Sequence, residues 1–229
     1  MAAVVQGGFL SVEVLVQGIL DNNVYLVDDG AAVMVVDPCR DALQIMEAVG
    51  ERPVGAIMLT HFHSDHTGAA AQLRELTGAP VYASVQDAPY VREPRKMGTS
   101  PIPLHPPCTV DVAVEDGDVV RVGKTSWKVL VTPGHSLGSM CWFATPQDFD
   151  GDPCQCVDPA GAPVLLSGDT LFCGTTGRTD FEGGSDQDMQ ASMVRLSQLP
   201  KNTLVLPGHM GPTTIAREAA GAFARWGVL

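Results

Sequence analysis

The feature that most constrains this chain is the stretch THFHSDHTG at residues 60–68. It holds three of the six histidines and an aspartate in the spacing H-x-H-x-D-H. The apolar run PVGAIMLT leads directly into it, which is typical of a strand buried on both faces. The run TGAAAQLRELTG follows and predicts a helix that ends at Gly78. The motif is therefore expected between a strand's carboxyl end and a helix, where ligand sites of α/β sheets lie.

The same placement recurs three more times along the chain. The segments VTPGH, LSGD and LPGH each end an apolar strand on a polar residue, at His135, Asp169 and His209 respectively. A strand end is rigid on one side and free on the other, which suits side chains that must converge on one point. We therefore expect all four segments to contribute to one site.

The remaining pattern predicts strands and helices on a mixed α/β plan. Strands are predicted at 9–16, 23–27, 32–36 and 139–146, in hairpins at 112–135, and at the ends named above. Helices are predicted at 37–50, 185–200 and 212–226, with Met189, Met193, Leu196 and Leu199 in the core. Residues 147–163 are acidic and rich in Gly and Pro, which predicts an exposed loop. His105 lies between prolines and is predicted to be a surface histidine outside the site.

Composition narrows the possible partners. The 229 residues are 45% hydrophobic and 17% charged, as in a globular protein. The net charge of −12 argues against a nucleic-acid or anionic-membrane partner. The start has no signal-peptide pattern and no apolar run reaches the length of a membrane span, so we expect a cytoplasmic protein. The six cysteines are scattered, and Cys154 and Cys156 form a weak metal or redox signal.

Imidazole and carboxylate groups are the ligands of zinc and similar divalent metals. Seven candidates follow from the four strand ends: His61, His63, Asp65, His66, His135, Asp169 and His209. Seven is too many for one tetrahedral ion and suits two. His61 and His63 can point the same way across a turn, whereas Asp65 and His66 diverge from them. Each pair would serve one ion, with a later histidine for each and one bridging carboxylate.

These residues resemble the signature of the metallo-β-lactamase fold superfamily, in which H-x-H-x-D-H is followed by Gly-His, Asp and Gly-His. The resemblance covers the whole chain and implies an α/β fold, a four-layer αβ/βα sandwich with the metals at one edge of the two sheets. It also implies how the ligands divide: His61, His63 and His135 for the first metal, Asp65, His66 and His209 for the second, and Asp169 between them. The implied cofactor is two divalent ions, zinc in the first place, with iron or manganese as options.

The segment CGTTGRTDFEGGSDQDM at residues 173–189 resembles the glyoxalase II branch. The resemblance implies a hydrolase that cleaves a hydroxyacyl thioester of a small thiol by a hydroxide held between the metals, with Asp65 orienting that hydroxide. Arg178 would bind a carboxylate of the anionic substrate's thiol carrier, although an ion pair with Asp180 explains its presence equally well. Class B1 β-lactamases carry a metal-binding cysteine where this chain has Asp169, which argues against antibiotic hydrolysis.

Full-length glyoxalase II enzymes have a C-terminal helical domain that forms much of the glutathione site. Only twenty residues follow His209. We therefore expect residues 1–229 to be a single metallo-β-lactamase-like domain without that helical domain, similar to short glyoxalase II-like hydrolases. The identity of the thiol and the oligomeric state stay open.

Two other interpretations are compatible with the motif. A persulfide dioxygenase of this fold would use a single Fe(II), held by His61, His135 and Asp169. The complete second set, Asp65, His66 and His209, favours the hydrolase. A metal-binding scaffold without activity would be expected to lack a ligand, and none is missing. Lactonase and phosphodiesterase activities stay possible, because a hydroxide held by two metals can attack several kinds of ester.

Overall fold

The computed structural model describes residues 2–95, 103–152 and 154–228. A seven-stranded sheet takes the first half of the chain, with its strands in sequence order. Strands β1 to β4 are antiparallel, and β4 to β7 are parallel. The bounds are β1 Ala3–Val5, β2 Ser11–Gln17, β3 Asn22–Asp28, β4 Val33–Val36, β5 Val54–Met58, β6 Val81–Ser84 and β7 Val112–Val114.

The second sheet has six strands in the order β15-β14-β11-β10-β9-β8, and a short ribbon of β12 and β13 lies outside it. Strands β11 and β14 are parallel neighbours. The bounds are β8 Val119–Val122, β9 Thr125–Val131, β10 Met140–Ala144, β11 Val164–Gly168, β12 Leu171–Phe172, β13 Thr175–Thr176, β14 Leu204–Pro207 and β15 Thr213–Thr214.

The helices have recognisable ends. Helix α1 begins after Asp41, whose carboxylate accepts a hydrogen bond from the Gln44 N–H at 3.0 Å. Helix α3 ends at Gly78, which takes the left-handed conformation with φ of 69°. The bounds are α1 Ala42–Val49, α2 Ser64–Thr67, α3 Ala70–Thr77, α4 Ala88–Arg92, α5 Asp186–Ser197, α6 Ile215–Glu218 and α7 Ala222–Arg225, and a 3₁₀ turn covers Pro146–Asp148.

The core has three apolar interfaces, which define four layers. Between the sheets, residues such as Met58 and Trp142 face each other. Outside the first sheet, strand residues pack on α1 and α3 through Ile45 and Leu73. Outside the second sheet, α5 and α7 pack through Met193 and Phe223. The predicted αβ/βα sandwich is therefore confirmed. Met189, Met193 and Leu196 are fully buried as predicted, whereas Leu199 is only partly buried and packs against the same cluster.

Hydrogen bonds join the two sheets at one edge. The Met140 N–H donates to the Thr60 carbonyl at 2.9 Å, and the Asn23 N–H donates to the Gly208 carbonyl at 2.8 Å. The Tyr25 hydroxyl donates to the Pro207 carbonyl at 2.8 Å. These bonds fix the ends of β5 and β14 against strands of the opposite sheet.

Three sequence predictions are corrected. The helix expected over 67–78 begins only at Ala70, after the separate short helix α2, because the Ala69 N–H donates to the Pro38 carbonyl at 2.9 Å. The terminal helix is also broken, and its first residues instead form β15, paired with β14. The loop at 147–163 is partly packed, since Val157 is buried and forms a bridge with Leu10. Within the described ranges, none of the helices has the length and apolar character needed to cross a membrane.

Candidate metal centre

Four strand ends deliver the candidate ligands to one edge of the sandwich. The H-x-H-x-D-H segment follows β5 of the first sheet. His135, Asp169 and His209 follow β9, β11 and β14 of the second sheet. The structure thus brings all seven sequence-predicted residues together, and the role of each as a ligand stays a prediction.

The first cluster consists of His61, His63 and His135. One ring nitrogen from each lies within 4.8 Å of the others. The His63 Nδ1 and His135 Nε2 atoms are 2.9 Å apart. His135 Nδ1 is 2.7 Å from the Arg178 carbonyl, which orients the ring so that Nε2 faces the cluster.

The second cluster consists of Asp65, His66 and His209, again with donor atoms within 4.8 Å. His66 Nε2 lies 3.3 Å from His209 Nε2 and 3.5 Å from an Asp65 carboxylate oxygen. His209 Nδ1 is 2.9 Å from the Leu20 carbonyl, which directs Nε2 inward.

Asp169 lies between the two clusters. Its Oδ2 is 3.5 Å from His135 Nε2 in the first cluster and 3.5 Å from His209 Nε2 in the second. Its Oδ1 is 3.3 Å from His66 Nε2. A carboxylate in contact with both groups has the position that a bridging ligand needs.

Two buried atoms show that these residues fit bound metal. His61 Nε2 and Asp169 Oδ1 are buried and have no hydrogen-bond partner among the residues that the structure describes. A buried polar atom without a partner is costly, and a cation nearby would relieve that cost for a lone pair. With five imidazoles and two carboxylates in contact, the clusters fit a dimetal site.

Asp37 supports both clusters, and the sequence analysis missed it. It is buried at the end of β4, and one carboxylate oxygen is 3.0 Å from His66 Nδ1. The same carboxylate accepts hydrogen bonds from the Thr60 N–H at 2.8 Å and from its hydroxyl at 2.6 Å. The Thr60 hydroxyl is in turn 3.0 Å from His61 Nδ1. In the sequence, the one signal for Asp37 is its position directly after a predicted apolar strand.

Asn22 is a second residue that the sequence did not identify. Its amide nitrogen is 3.0 Å from an Asp65 oxygen, 3.2 Å from His66 Nε2 and 3.4 Å from His209 Nε2. The side chain is buried at the start of β3. The Asn22 amide nitrogen therefore contacts all three members of the second cluster.

The electrostatic environments of the clusters differ. Burial and neighbouring histidines lower the pKa of His61 well below its ordinary value, and burial lowers that of His63 to about 3. Burial also lowers the pKa of His66, but Asp169, Asp65 and Asp37 outweigh it and raise the pKa to about 10. For Asp65, burial is outweighed by His66 and other partners, so its pKa is lowered. Carboxylates therefore dominate the surroundings of His66, whereas burial and other imidazoles dominate those of His61.

A cavity of about 370 Å³ opens over the clusters. Phe62, Tyr90, Phe172 and Phe181 give it aromatic walls, and Arg178 lines it. The prediction for His105 was wrong, because it is 4% exposed and lines this cavity. His105 lies beside the site, because its N–H donates a hydrogen bond of 3.2 Å to the Ser64 hydroxyl. His105 belongs to none of the metal-binding groups found among the described residues.

Arg178 lies at the mouth of the cavity, and 64% of its side chain is exposed. Its guanidinium donates two hydrogen bonds of 2.8 Å to Asp180 and lies 4.3 Å from the Phe181 ring centroid. Both sequence interpretations therefore have a structural basis, since Arg178 forms the local ion pair and also faces the cavity.

The fold, the candidate ligands clustered at the strand ends and the cavity above them are those of a metal-binding α/β sandwich protein. Residues 18–149 match the Metallo-beta-lactamase superfamily, so the chain belongs to that superfamily. It is 34% identical over 194 residues to a hydroxyacylglutathione hydrolase of Pseudomonas putida and 30% identical over 188 residues to one of a Marinomonas species. Each match covers 82% of this chain, which spans 62% and 56% of those proteins' lengths.

Three solved structures are also similar to this chain. The BLEG-1 B3 metallo-beta-lactamase has a TM-score of 0.79 at 28% identity, covering 91% of this chain and 96% of that one. The di-iron-bound form of TTHA1623 has a TM-score of 0.71 at 32% identity, covering 91% and 97%. ETHE1 from Myxococcus xanthus has a TM-score of 0.69 at 28% identity, covering 92% and 82%.

Proposed function

We propose that this chain is a dimetal hydrolase that cleaves a hydroxyacyl thioester of a small anionic thiol. The observation that carries the proposal is Asp169, which contacts both three-residue clusters beneath the cavity. The hydroxyacylglutathione hydrolase relatives support the thioester class. We take residues 1–229 as one catalytic domain acting in the cytoplasm.

The ligand roles follow the two clusters. His61, His63 and His135 would hold one ion and Asp65, His66 and His209 the other, with Asp169 shared. Two divalent ions bound there would supply an activated water at neutral pH and polarise the thioester carbonyl. Zinc suits the donor set, and the di-iron neighbour makes iron a direct alternative.

The protein's own groups would orient the reaction. Asp65 has one carboxylate oxygen fixed by Asn22 at 3.0 Å, and the residue lines the cavity. Asp65 would accept a hydrogen bond from the attacking water, and this bond would direct a lone pair of the water toward the carbonyl. The aromatic walls would exclude bulk water from the acyl group, and Arg178 would bind a carboxylate of the thiol carrier.

A substrate panel tests the proposal. The zinc-loaded and iron-loaded protein would each be assayed with a hydroxyacyl thioester, a lactone, a phosphodiester, a β-lactam and a persulfide. We expect thioester kcat/KM to exceed that of every other substrate by at least about tenfold. Oxygen-dependent persulfide consumption with one iron per chain would instead identify the Fe(II) dioxygenase, with iron on His61, His135 and Asp169.

A further inference from the structure

The two cysteines of the segment Cys-Gln-Cys lie together at the surface of the protein. Cys154 is exposed, Cys156 is partly buried, and both are free thiols. They lie against the turn between β3 and β4, where a Cβ on Gly30 would collide with Cys154 Sγ and lie 4.0 Å from Cys156 Cβ. The function proposed above does not use this pair, so its chemistry has to be considered separately.

Backbone hydrogen bonds hold the pair in a tight turn. The Val157 N–H donates to the Cys154 carbonyl at 3.1 Å, which closes a four-residue turn over residues 154–157. The Ser11 N–H donates to the Cys156 carbonyl at 2.8 Å, and Val157 forms a bridge with Leu10. The turn is therefore anchored to the start of β2, and both cysteine side chains leave it toward the same glycine.

The two thiols have different surroundings. The Cys156 N–H donates to Cys154 Sγ at 3.3 Å, and the Cys154 thiol donates to the Asp29 carbonyl at 3.7 Å. A backbone N–H directed at a sulfur atom favours its thiolate form, which is the nucleophile in thiol chemistry. Burial, followed by Asp28 and the Cys154 thiol, raises the pKa of Cys156 to about 11. The exposed Cys154 is therefore the better placed of the two to attack a reagent from solution.

The pair is separate from the candidate metal centre. Strand β3 begins at Asn22, which contacts the second cluster, and ends at Asp28, which lies near Cys156. Its seven residues span about 20 Å. Among the described residues, no third His, Cys, Asp or Glu joins the two cysteines in a group that could hold a metal ion. Thiol chemistry therefore suits the pair better than metal binding.

We propose that Cys154 and Cys156 form a thiol–disulfide exchange site for low-molecular-weight disulfides, independent of the proposed hydrolase activity. The Cys154 thiolate attacks one sulfur of a disulfide RSSR, which forms a mixed disulfide and releases RS⁻. The Cys156 thiolate then attacks the Cys154 sulfur, which closes the bond between the two cysteines and releases the second RS⁻. The two protein thiols are oxidised, RSSR is reduced to two RSH, and the two cysteine protons pass to the RS⁻ groups.

Incubation of the full chain with glutathione disulfide tests these roles, followed by intact-mass measurement and peptide mapping without reductant. We expect the wild type to lose two hydrogens, to retain no glutathione, and to carry the new bond between Cys154 and Cys156. In Cys156→Ser we expect one glutathione to remain on Cys154, because the second thiol is missing. In Cys154→Ser we expect reaction at the remaining thiol to be about tenfold slower than in the wild type, because its pKa is raised to about 11.

The equilibrium with reduced glutathione distinguishes a closed pair from a mixed disulfide. At fixed glutathione disulfide, a tenfold rise in reduced glutathione should lower the ratio of closed to open pair by about 100-fold, against about tenfold for a mixed disulfide. Cys173→Ser is the matched control, because Cys173 is also a partly buried free thiol, and it should behave as the wild type does. A wild type that retains glutathione on Cys154, that does not react at either cysteine, or that shows the tenfold dependence would overturn the proposal.

Discussion

At the scale of single residues, partners distant in sequence orient the candidate ligands. Asp37 contacts His66, and it reaches His61 through the Thr60 hydroxyl. Each contact occupies the Nδ1 atom of the ring, so Nε2 is left for the cluster. One buried carboxylate thus positions a member of each cluster.

We predict that Asp37→Asn weakens metal binding by about 10- to 100-fold, as is typical when a partner of a ligating histidine is removed. The measurement is competition for Zn²⁺ with a chelator of known affinity. Asp29→Asn is a matched control, because Asp29 is also buried and accepts the Lys124 and Thr125 N–H groups at the other end of β3. Equal loss of affinity in both variants would show that Asp37 only stabilises the fold.

The sequence identified the seven clustered residues but not Asp37 or Asn22. The motif is dense, and the distal His and Asp residues each follow an apolar strand, so local pattern was sufficient. Asp37 contacts His66, 29 positions away, and Asn22 contacts Asp65, 43 positions away. Both roles depend on tertiary contacts, and a position beside an apolar strand does not reveal which distant side chain a polar group contacts.

At the scale of elements, Asp87 connects two loops of the site through hydrogen bonds. It is buried before α4 and accepts hydrogen bonds from the Phe62 N–H at 3.2 Å and the Gly138 N–H at 2.9 Å. The Ser136 hydroxyl also donates to it, at 2.8 Å. The loop after β5 and the loop after β9 are therefore fixed to each other by a single carboxylate.

Burial raises the pKa of Asp87 from 3.8 to about 6, although these hydrogen bonds lower it. Because the folded-state pKa is the higher one, the carboxyl's contribution to stability is full below pH 3.8 and is lost as pH rises through about 6. We compare the free energies of unfolding of the wild type and of Asp87→Asn. We predict that the wild-type value minus the variant value decreases as the pH rises from about 4 to about 7. Urea titrations with a chelator present measure it. A constant difference would contradict the prediction.

Element predictions failed where a tertiary contact overrides helix propensity. The alanine-rich stretch after His209 predicts one helix, but buried Glu218 accepts hydrogen bonds from the Gly174 N–H at 2.8 Å and the Ala222 N–H at 3.1 Å. These bonds hold the chain in a turn at Gly221, where a Cβ would meet the Glu218 carboxylate. The strands were predicted well, because apolar runs bounded by turn residues give a strong local signal.

At the scale of the whole molecule, the site exists only where the two sheets meet. The first sheet supplies His61, His63, Asp65 and His66, and the second supplies His135, Asp169 and His209. Gly208 shows how closely the halves approach, because a Cβ there would meet both Asp169 and His66. The four-layer arrangement was expected from family resemblance, since periodicity alone predicts strands and helices but not how two sheets face each other.

The metal content of the zinc-reconstituted protein tests the dinuclear site most directly, measured by elemental analysis beside Asp169→Ala. We predict two ions per chain in the wild type. In Asp169→Ala we predict one ion or fewer and almost no thioester hydrolysis, with an unchanged circular dichroism spectrum, because both clusters lose the carboxylate they share. One ion in the wild type, or two ions with near-normal turnover in the variant, would contradict the account.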